Sequence, residues 1–281
     1  TGIDENGIDY NEVRARLRNI IPVGFDENKQ CTTNYEKFPN ASKYGVMADA
    51  IRYKASKQIG TLGGGNHFIE YGVNSKGELG ITIHSGSRRA GWLIGDFYMR
   101  KTGGPVPFDS RIGAAYFKDM TWAQNFALDN RRKMMERCLQ VIGAKKSLIN
   151  TMINENHNHS VNTKDGVLHM KGATPAEAGK RGIIPANMRD GVYITVGLGN
   201  KHFLTSASHG AGRKMSRGQA RREINGGKFI QQMSGIVADV DERFIDESPD
   251  AYKDIDTVLG YQSGLLVDVI DHFRPLLVIK G

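Results

Sequence analysis

Two cysteines, Cys31 and Cys138, are the only thiols in this 281-residue sequence. So few argue against a disulfide-stapled scaffold and suit a reducing compartment. No stretch approaches the roughly eighteen consecutive apolar residues that a membrane-spanning helix needs. The first residues also lack the pattern of a secretory signal. The expectation is a soluble, cytoplasmic protein. Internal repeats, low-complexity tracts and a convincing linker are absent as well. With 39% hydrophobic residues the chain can bury a sizeable core, in one large domain or two small ones. The interleaving of hairpin-like strands with long helices favours a single domain over residues 1–281.

What the sequence has in excess is positive charge. A net charge of +8 and a pI near 9.4 favour a polyanionic partner or substrate. The basic residues cluster at Arg88-Arg89, Arg131-Arg132-Lys133, Lys145-Lys146 and from Arg213 to Arg222. The first three clusters read as solvated helix faces. The last adjoins His209 and a glycine pair, which points to a site.

Apolar spacing predicts a short amphipathic helix over Asn11–Ile21, then a loop over Val23–Ser42. A second helix is expected over Met47–Gln58, with Gly60 placed to end it. Phe68–Val73 and Leu79–His84 alternate and flank Asn74-Ser75-Lys76-Gly77, so they predict a β-hairpin. Ser110–Ile142 predicts a long helix whose stripe of Met, Ala and Cys138 faces the core. Strands are expected over Gly166–Gly172, Val192–Val196 and Leu276–Ile279, and a basic helix over Lys214–Ile224. From Gly226 the pattern reads as short strands, and Ala251–Phe273 reads as a helix. The fold class is therefore mixed α/β.

The chemistry gathers around Gln58–Gly72, where Gly63, Gly64 and Gly65 run into Asn66, His67 and Glu70. A glycine run permits left-handed turns and close approach to a ligand. His84 precedes a small-residue turn, Ser85-Gly86-Ser87, with arginines suited to an anion. His157 and His159 stand two apart in a polar stretch, so a strand would turn only one towards a given site. Histidines from separate segments, His67, His84 and His157, can bind a transition metal. His209, flanked by glycine, is accessible enough to be a nucleophile. Arg88, Arg213 and Arg217 offer forked donors for phosphate. These residues point to metal-dependent phosphate chemistry and leave hydrolysis and ligation both open.

Four blocks carry a resemblance. They are Gly60-Thr-Leu-Gly-Gly-Gly-Asn66-His67-Phe-Ile-Glu70, His84-Ser-Gly-Ser-Arg88, His157-Asn158 and Ser208-His209-Gly-Ala-Gly-Arg213-Lys-Met-Ser-Arg217. In order and spacing they resemble the signature blocks of the RtcB family of tRNA-splicing and RNA-repair ligases, and Lys280-Gly281 resembles its carboxyl end. The resemblance implies two packed β-sheets flanked by helices around a central metal–nucleotide site. It implies a GTP- and Mn²⁺-dependent ligase that joins an RNA 3′-phosphate or 2′,3′-cyclic phosphate to a 5′-hydroxyl. The RNA would be tRNA halves or broken RNA ends. His209 would become guanylylated, and His67, His84 and His157 would hold manganese. Asn66, Glu70, Asn158, Asn187, Tyr252 and Lys280 would contact the nucleotide. Arg88, Arg217 and Lys171 would bind RNA phosphates.

Two departures qualify the match. The family's Asp-x-Gly-Cys-Gly block, which supplies an aspartate and a bridging cysteine, is expected ahead of the first residue of this sequence. The second of two manganese sites is thus expected to lack its anionic ligands. A shortened chain, a partner that supplies the block, or an impaired ligase would each account for this. Asn187-Met-Arg-Asp-Gly stands where many relatives have a serine-containing loop. The competing readings are a metal-dependent phosphoesterase and an RNA-binding or assembly protein.

Overall fold

The structure is a computed structural model that describes residues 7–31, 48–164 and 166–281. Residues 1–6, the rest of the expected Val23–Ser42 loop and Met47 lie outside them. The described helices are α1 Tyr10–Ile20, α2 Ala48–Gln58, α3 Arg88–Thr102, α4 Arg111–Val141, α5 Arg217–Glu223, α6 Gly226–Gln232 and α7 Ile255–Gly260. The strands begin with β1 Phe68–Val73, β2 Leu79–His84, β3 Asn158–Thr163, β4 Gly166–Lys171 and β5 Ala173–Pro175. They continue with β6 Arg181–Pro185, β7 Val192–Gly197, β8 Ser206–Ser208, β9 Val237–Ala238 and β10 Val267–Lys280.

The mixed α/β class expected from the sequence is the one observed. The main sheet runs β2-β1-β10-β7-β6, with β9 added parallel to β10; β3–β4 and β5–β8 are separate ribbons. The 14-residue β10 joins two parts of this sheet. Residues 267–273 pair with β7, and residues 274–280 pair with β1. A register shift lies in each pairing, and such irregularities bend a strand and increase its twist. The two edge strands, β2 and β6, line the same cleft of about 320 Å³.

Strand alternation decides what faces the site. Ile69 and Tyr71 of β1 and Leu277 and Ile279 of β10 point into a core closed by Val13 and Leu17 of α1 and Met134 and Cys138 of α4. Fully burying side chains of this size contributes about 1.5–3 kcal/mol each. The Tyr71 hydroxyl donates to the Cys138 carbonyl at 3.0 Å, which ties this core to α4. Phe68, Glu70, Val278 and Lys280 therefore share the opposite face, and the register sets Phe68 beside both Lys280 and His84.

Helix α4 is the brace behind this face. Ser110 caps it by accepting from the Gly113 amide, and its span, Arg111–Val141, agrees with the helix expected over Ser110–Ile142. Asn130, fully buried, accepts from the Gly60 and Thr61 amides at 2.7 and 3.1 Å. Its Nδ2 donates to Thr61 O, Ser85 Oγ and Gly86 O at 3.1–3.2 Å. Arg131 donates to Ser85 O, Asn154 Oδ1 and Asn156 Oδ1 at 2.7–2.8 Å. It is only 7% exposed, which corrects its reading as part of a solvated face. Two neighbouring residues thus hold the segments that carry His67, His84 and His157.

Other expectations need correction. Ala251–Phe273 is not one helix. A six-residue α7 stops at Gly260, Gly264 turns at φ +71°, and the β-branched run from Val267 joins the sheet. The stretch after Gly226 opens with helix α6, capped by Asn225 and anchored by buried Phe229, before the short β9. Helix α3 was not foreseen, since Gly91 and Gly95 lower its propensity; its signal was Ala90, Ile94 and Tyr98 at four-residue intervals. Among the described residues no helix is long and apolar enough to cross a membrane.

Asn130→Ala leaves the buried Gly60 amide and the Thr61 carbonyl of the glycine loop unpaired, while the Thr61 amide keeps the Gln58 carbonyl at 3.2 Å. We expect a loss of about 2–4 kcal/mol, measured as a lower urea midpoint at unchanged slope. Asn130→Asp is expected to be at least as damaging, because an oxygen would replace Nδ2 against three oxygens.

Candidate active site

The backbone remains irregular through His67 and becomes a strand only at Phe68, as convergence of the site residues requires. Gly63 has φ +91°, and a Cβ there would lie 2.3 Å from His67 Nδ1 and 2.0 Å from an Arg88 nitrogen. Only glycine fits between them. His67 and His84 have ring centroids 5.8 Å apart, and His84 and His157 have theirs 4.9 Å apart. His157 and His209 follow at 4.5 Å. The four rings, drawn from four segments, form a continuous row.

Burial and mutual proximity keep the first three rings neutral. Burial lowers His67 to about 4, and Arg88 adds to the shift. It lowers His157 to about 4, helped by His209 and Arg131. His84 falls well below its ordinary value through burial, then through His157 and His67. Neutral imidazole is the form that binds a metal. His84 Nε2 and His157 Nε2 face each other at 2.9 Å. Two nitrogens about 2.1 Å from one ion would sit about 3.0 Å apart at a right angle, so this pair has the spacing of shared ligands. The buried Nδ1 atoms of His67 and His157 have no hydrogen-bond partner. Among the described residues, however, no three His, Cys, Asp or Glu side chains close on one point as a finished metal site. The donor chemistry therefore fits a divalent ion, with two ligands already paired and His67 standing off.

His209 follows β8, and its Nδ1 lies 2.7 Å from the Gly172 carbonyl. A carbonyl can only accept, so in the neutral ring Nδ1 carries the proton and Nε2 keeps its lone pair. Gly172 has φ +67°, and its own amide donates to Asn158 Oδ1 at 3.0 Å. Asn158 thus acts on His209 through one glycine.

A second cavity, of about 260 Å³, brings Asn66, Glu70, Asn187, Arg217, Tyr252 and Lys280 together with His84 and His209. Glu70 is 2% exposed with Oε1 unpaired, and burial raises its carboxyl well above the carboxylate range while Lys280 opposes the rise. Lys280, equally buried, pairs with Glu247 at 2.6 Å. Arg217 reaches Asp246 and Glu247 at 2.5 and 2.7 Å. Asp246 and Glu247 were not singled out from the sequence, where they sit in an ordinary acidic stretch, Asp241–Glu247.

Two further expected ligand residues are committed to the chain itself, and a third stands apart from the site. Asn187 accepts from the Arg189 and Asp190 amides and donates to the Asp190 carboxylate, so its side chain builds the turn before β7. Arg88, at φ +53°, lies under the glycine loop and donates to Thr61 Oγ1 and Gly24 O at 3.0 and 2.7 Å. Lys171, exposed at the end of β4, lines neither the cleft nor this cavity.

Residues 8–281 match the family model described as tRNA-splicing ligase RtcB. An RNA-splicing ligase RtcB of Escherichia coli is 36% identical over 277 residues, covering 89% of this chain and 65% of that protein. A tRNA-splicing ligase RtcB of Nanoarchaeum equitans is 27% identical, covering 91% of this chain and 66% of that protein. That of Methanocaldococcus jannaschii is 30% identical over 84% of this chain and 31% of its own length. The chain spans at most about two thirds of these three relatives. The family match, with the histidine row and the cavity beside it, establishes that this chain belongs to the RtcB family.

Proposed function

We propose that this chain carries the catalytic centre of a GTP- and manganese-dependent RNA ligase. It would join a 3′-phosphate or 2′,3′-cyclic phosphate end to a 5′-hydroxyl end. The observation that carries the reading is the placement of His209, which has its tautomer fixed by Gly172 and borders both the nucleotide-sized cavity and the histidine cleft. His209 Nε2 attacks the α-phosphorus of GTP; an N–P bond forms as the bond to pyrophosphate breaks. An oxygen of the RNA 3′-phosphate then takes the guanylyl group from His209, breaking the N–P bond and forming a phosphoanhydride between the RNA phosphate and GMP. The 5′-hydroxyl oxygen displaces GMP and loses its proton. A terminal phosphate has no leaving group until this transfer supplies one, which is why a nucleotide is needed.

His84 and His157, with His67 beside them, would hold manganese, which neutralises clustered phosphate charge and orients the attacking group. Glu70 accepts from guanine, Lys280 reaches the base, Tyr252 stacks on it, and Asn66 contacts the nucleotide. Arg217 is the best-placed phosphate ligand, since it is half-exposed in the cavity. Arg88 supports the glycine loop beneath the phosphates, Asn158 and Asn187 order the loops around the nucleotide, and Lys171 meets RNA at the rim.

Incubation with labelled GTP and Mn²⁺ is expected to give an acid-labile label on the protein, with loss of at least about a thousandfold in rate for His209→Ala. Metal-dependent phosphate release without any label would replace the ligase reading with a phosphoesterase. Glu70 supplies a second prediction. Once unfolded, its carboxyl ionises in the ordinary range, so above about pH 4.5 the unfolded chain releases a proton that the folded chain keeps. This group's contribution to stability therefore falls as pH rises towards its raised folded value. We expect Glu70→Gln to melt a few degrees higher than the wild type at neutral pH, with the advantage vanishing towards about pH 4. The same variant should bind GTP more weakly, as titration of both proteins would reveal.

A further inference from the structure

Four donors converge on the carboxylate of Glu247. Oε2 accepts from Lys280 Nζ at 2.6 Å and from the Tyr252 hydroxyl at 2.7 Å. Oε1 faces Arg217 Nη1 at 2.7 Å and Arg213 Nη1 at 3.3 Å. The neighbouring Asp246 takes Arg217 and Arg221 on its carboxylate and Arg213 on its carbonyl, so the arginines have a second anchor. Among the described residues Lys280 pairs with Glu247 and has no second carboxylate of this kind; both side chains are 3% exposed.

A carboxylate offers about four acceptor sites, and here all four are in use. Glu247 lines the cavity together with the groups it holds, but its acceptor sites are already taken by them. A buried carboxylate would also repel a triphosphate, so direct contact would work against binding. Its influence must pass through its partners. Lys280 depends on it most, because a buried ammonium without a counter-ion gives up its charge. Burial already lowers the proton affinity of Lys280, and Glu247 is the largest influence opposing that.

We propose that Glu247 is a positioning residue of the nucleotide site, which sets affinity for the guanine nucleotide by holding the Lys280 ammonium charged and directed into the cavity. This rests on the nucleotide-binding reading above. Glutamine at position 247 keeps an acceptor for Tyr252 and removes the charge that Lys280 needs.

The test is a double-mutant cycle in the full chain, read as the dissociation constant of labelled GTP with Mn²⁺ present. Glu247→Gln and Lys280→Met are each expected to weaken binding by about tenfold or more. In the Lys280→Met background, adding Glu247→Gln should change affinity by less than about twofold, because the route it acts through is gone. Losses that multiply in the double variant would overturn the proposal. So would wild-type affinity in Glu247→Gln while the wild type itself binds GTP. A wild type that binds no GTP overturns the nucleotide reading, and this proposal with it. Glu247→Gln alone strands a buried ammonium and can fail to fold, whereas the double variant removes both charges together. The comparison of Lys280→Met with the double variant then decides: equal affinity supports the proposal, and a further drop of about tenfold overturns it.

Discussion

The site depends on one buried amide. Asn130 sits in the middle of the 31-residue α4 and uses both ends of its side chain on the glycine loop and the turn after β2. Arg137 on Gly60 O, Arg88 on Thr61 Oγ1 and Ser85 Oγ on Leu62 O reinforce the same two segments, while the glycine run itself contributes no side chains to packing. Loop backbone groups that turn inward must find partners, and here a rigid helix supplies them. Arg131, one residue on, does the same for the segment leading to His157. The spacing of the histidine row is therefore inherited from α4, which itself provides none of its rings.

Strand register does the rest of the placement. Because side chains alternate, putting Ile69 and Tyr71 into the core forces Phe68 and Glu70 onto the opposite face. Pairing with β2 then sets His84 beside Phe68, and pairing with β10 sets Lys280 on its other side. The most distant residues in the sequence meet through ordinary antiparallel pairing. A one-residue slip in either pairing would send the chemistry into the hydrophobic core, so core packing and site geometry are secured by the same constraint.

Much of this was legible in the sequence where local pattern and tertiary context agree. The hairpin at Phe68–His84, the turns that the glycine run permits and the long helix after Ser110 follow from alternation, glycine and helical apolar spacing. The reading failed where local pattern was ambiguous. Ala251–Phe273 mixes apolar spacing with β-branched residues, and only pairing with β7 makes its second half a strand. Helix α3 hid behind two glycines. Arg131 lies within a basic triplet that looks solvated, and its burial follows from the loops it meets. Glu247 carried no motif at all, since its importance lies in partners 34 residues before it and 33 after it.

The excess of positive charge also acquires a different meaning in the folded chain. From composition alone, +8 describes a surface attractive to polyanions. At the cavity, cations are matched by buried carboxylates: Lys280 by Glu247, Arg217 by both Asp246 and Glu247, and Arg221 by Asp246. Unmatched cations packed this closely would repel one another and be costly to desolvate. The carboxylates hold the positive groups in fixed directions at small net charge, while His67, His84 and His157 beside them stay neutral through burial. A phosphate bound there, as proposed, would meet oriented donors without a large field to destabilise the empty protein. This favours recognition by geometry over recognition by bulk charge, and it explains why the residues that orient the donors matter as much as the donors themselves.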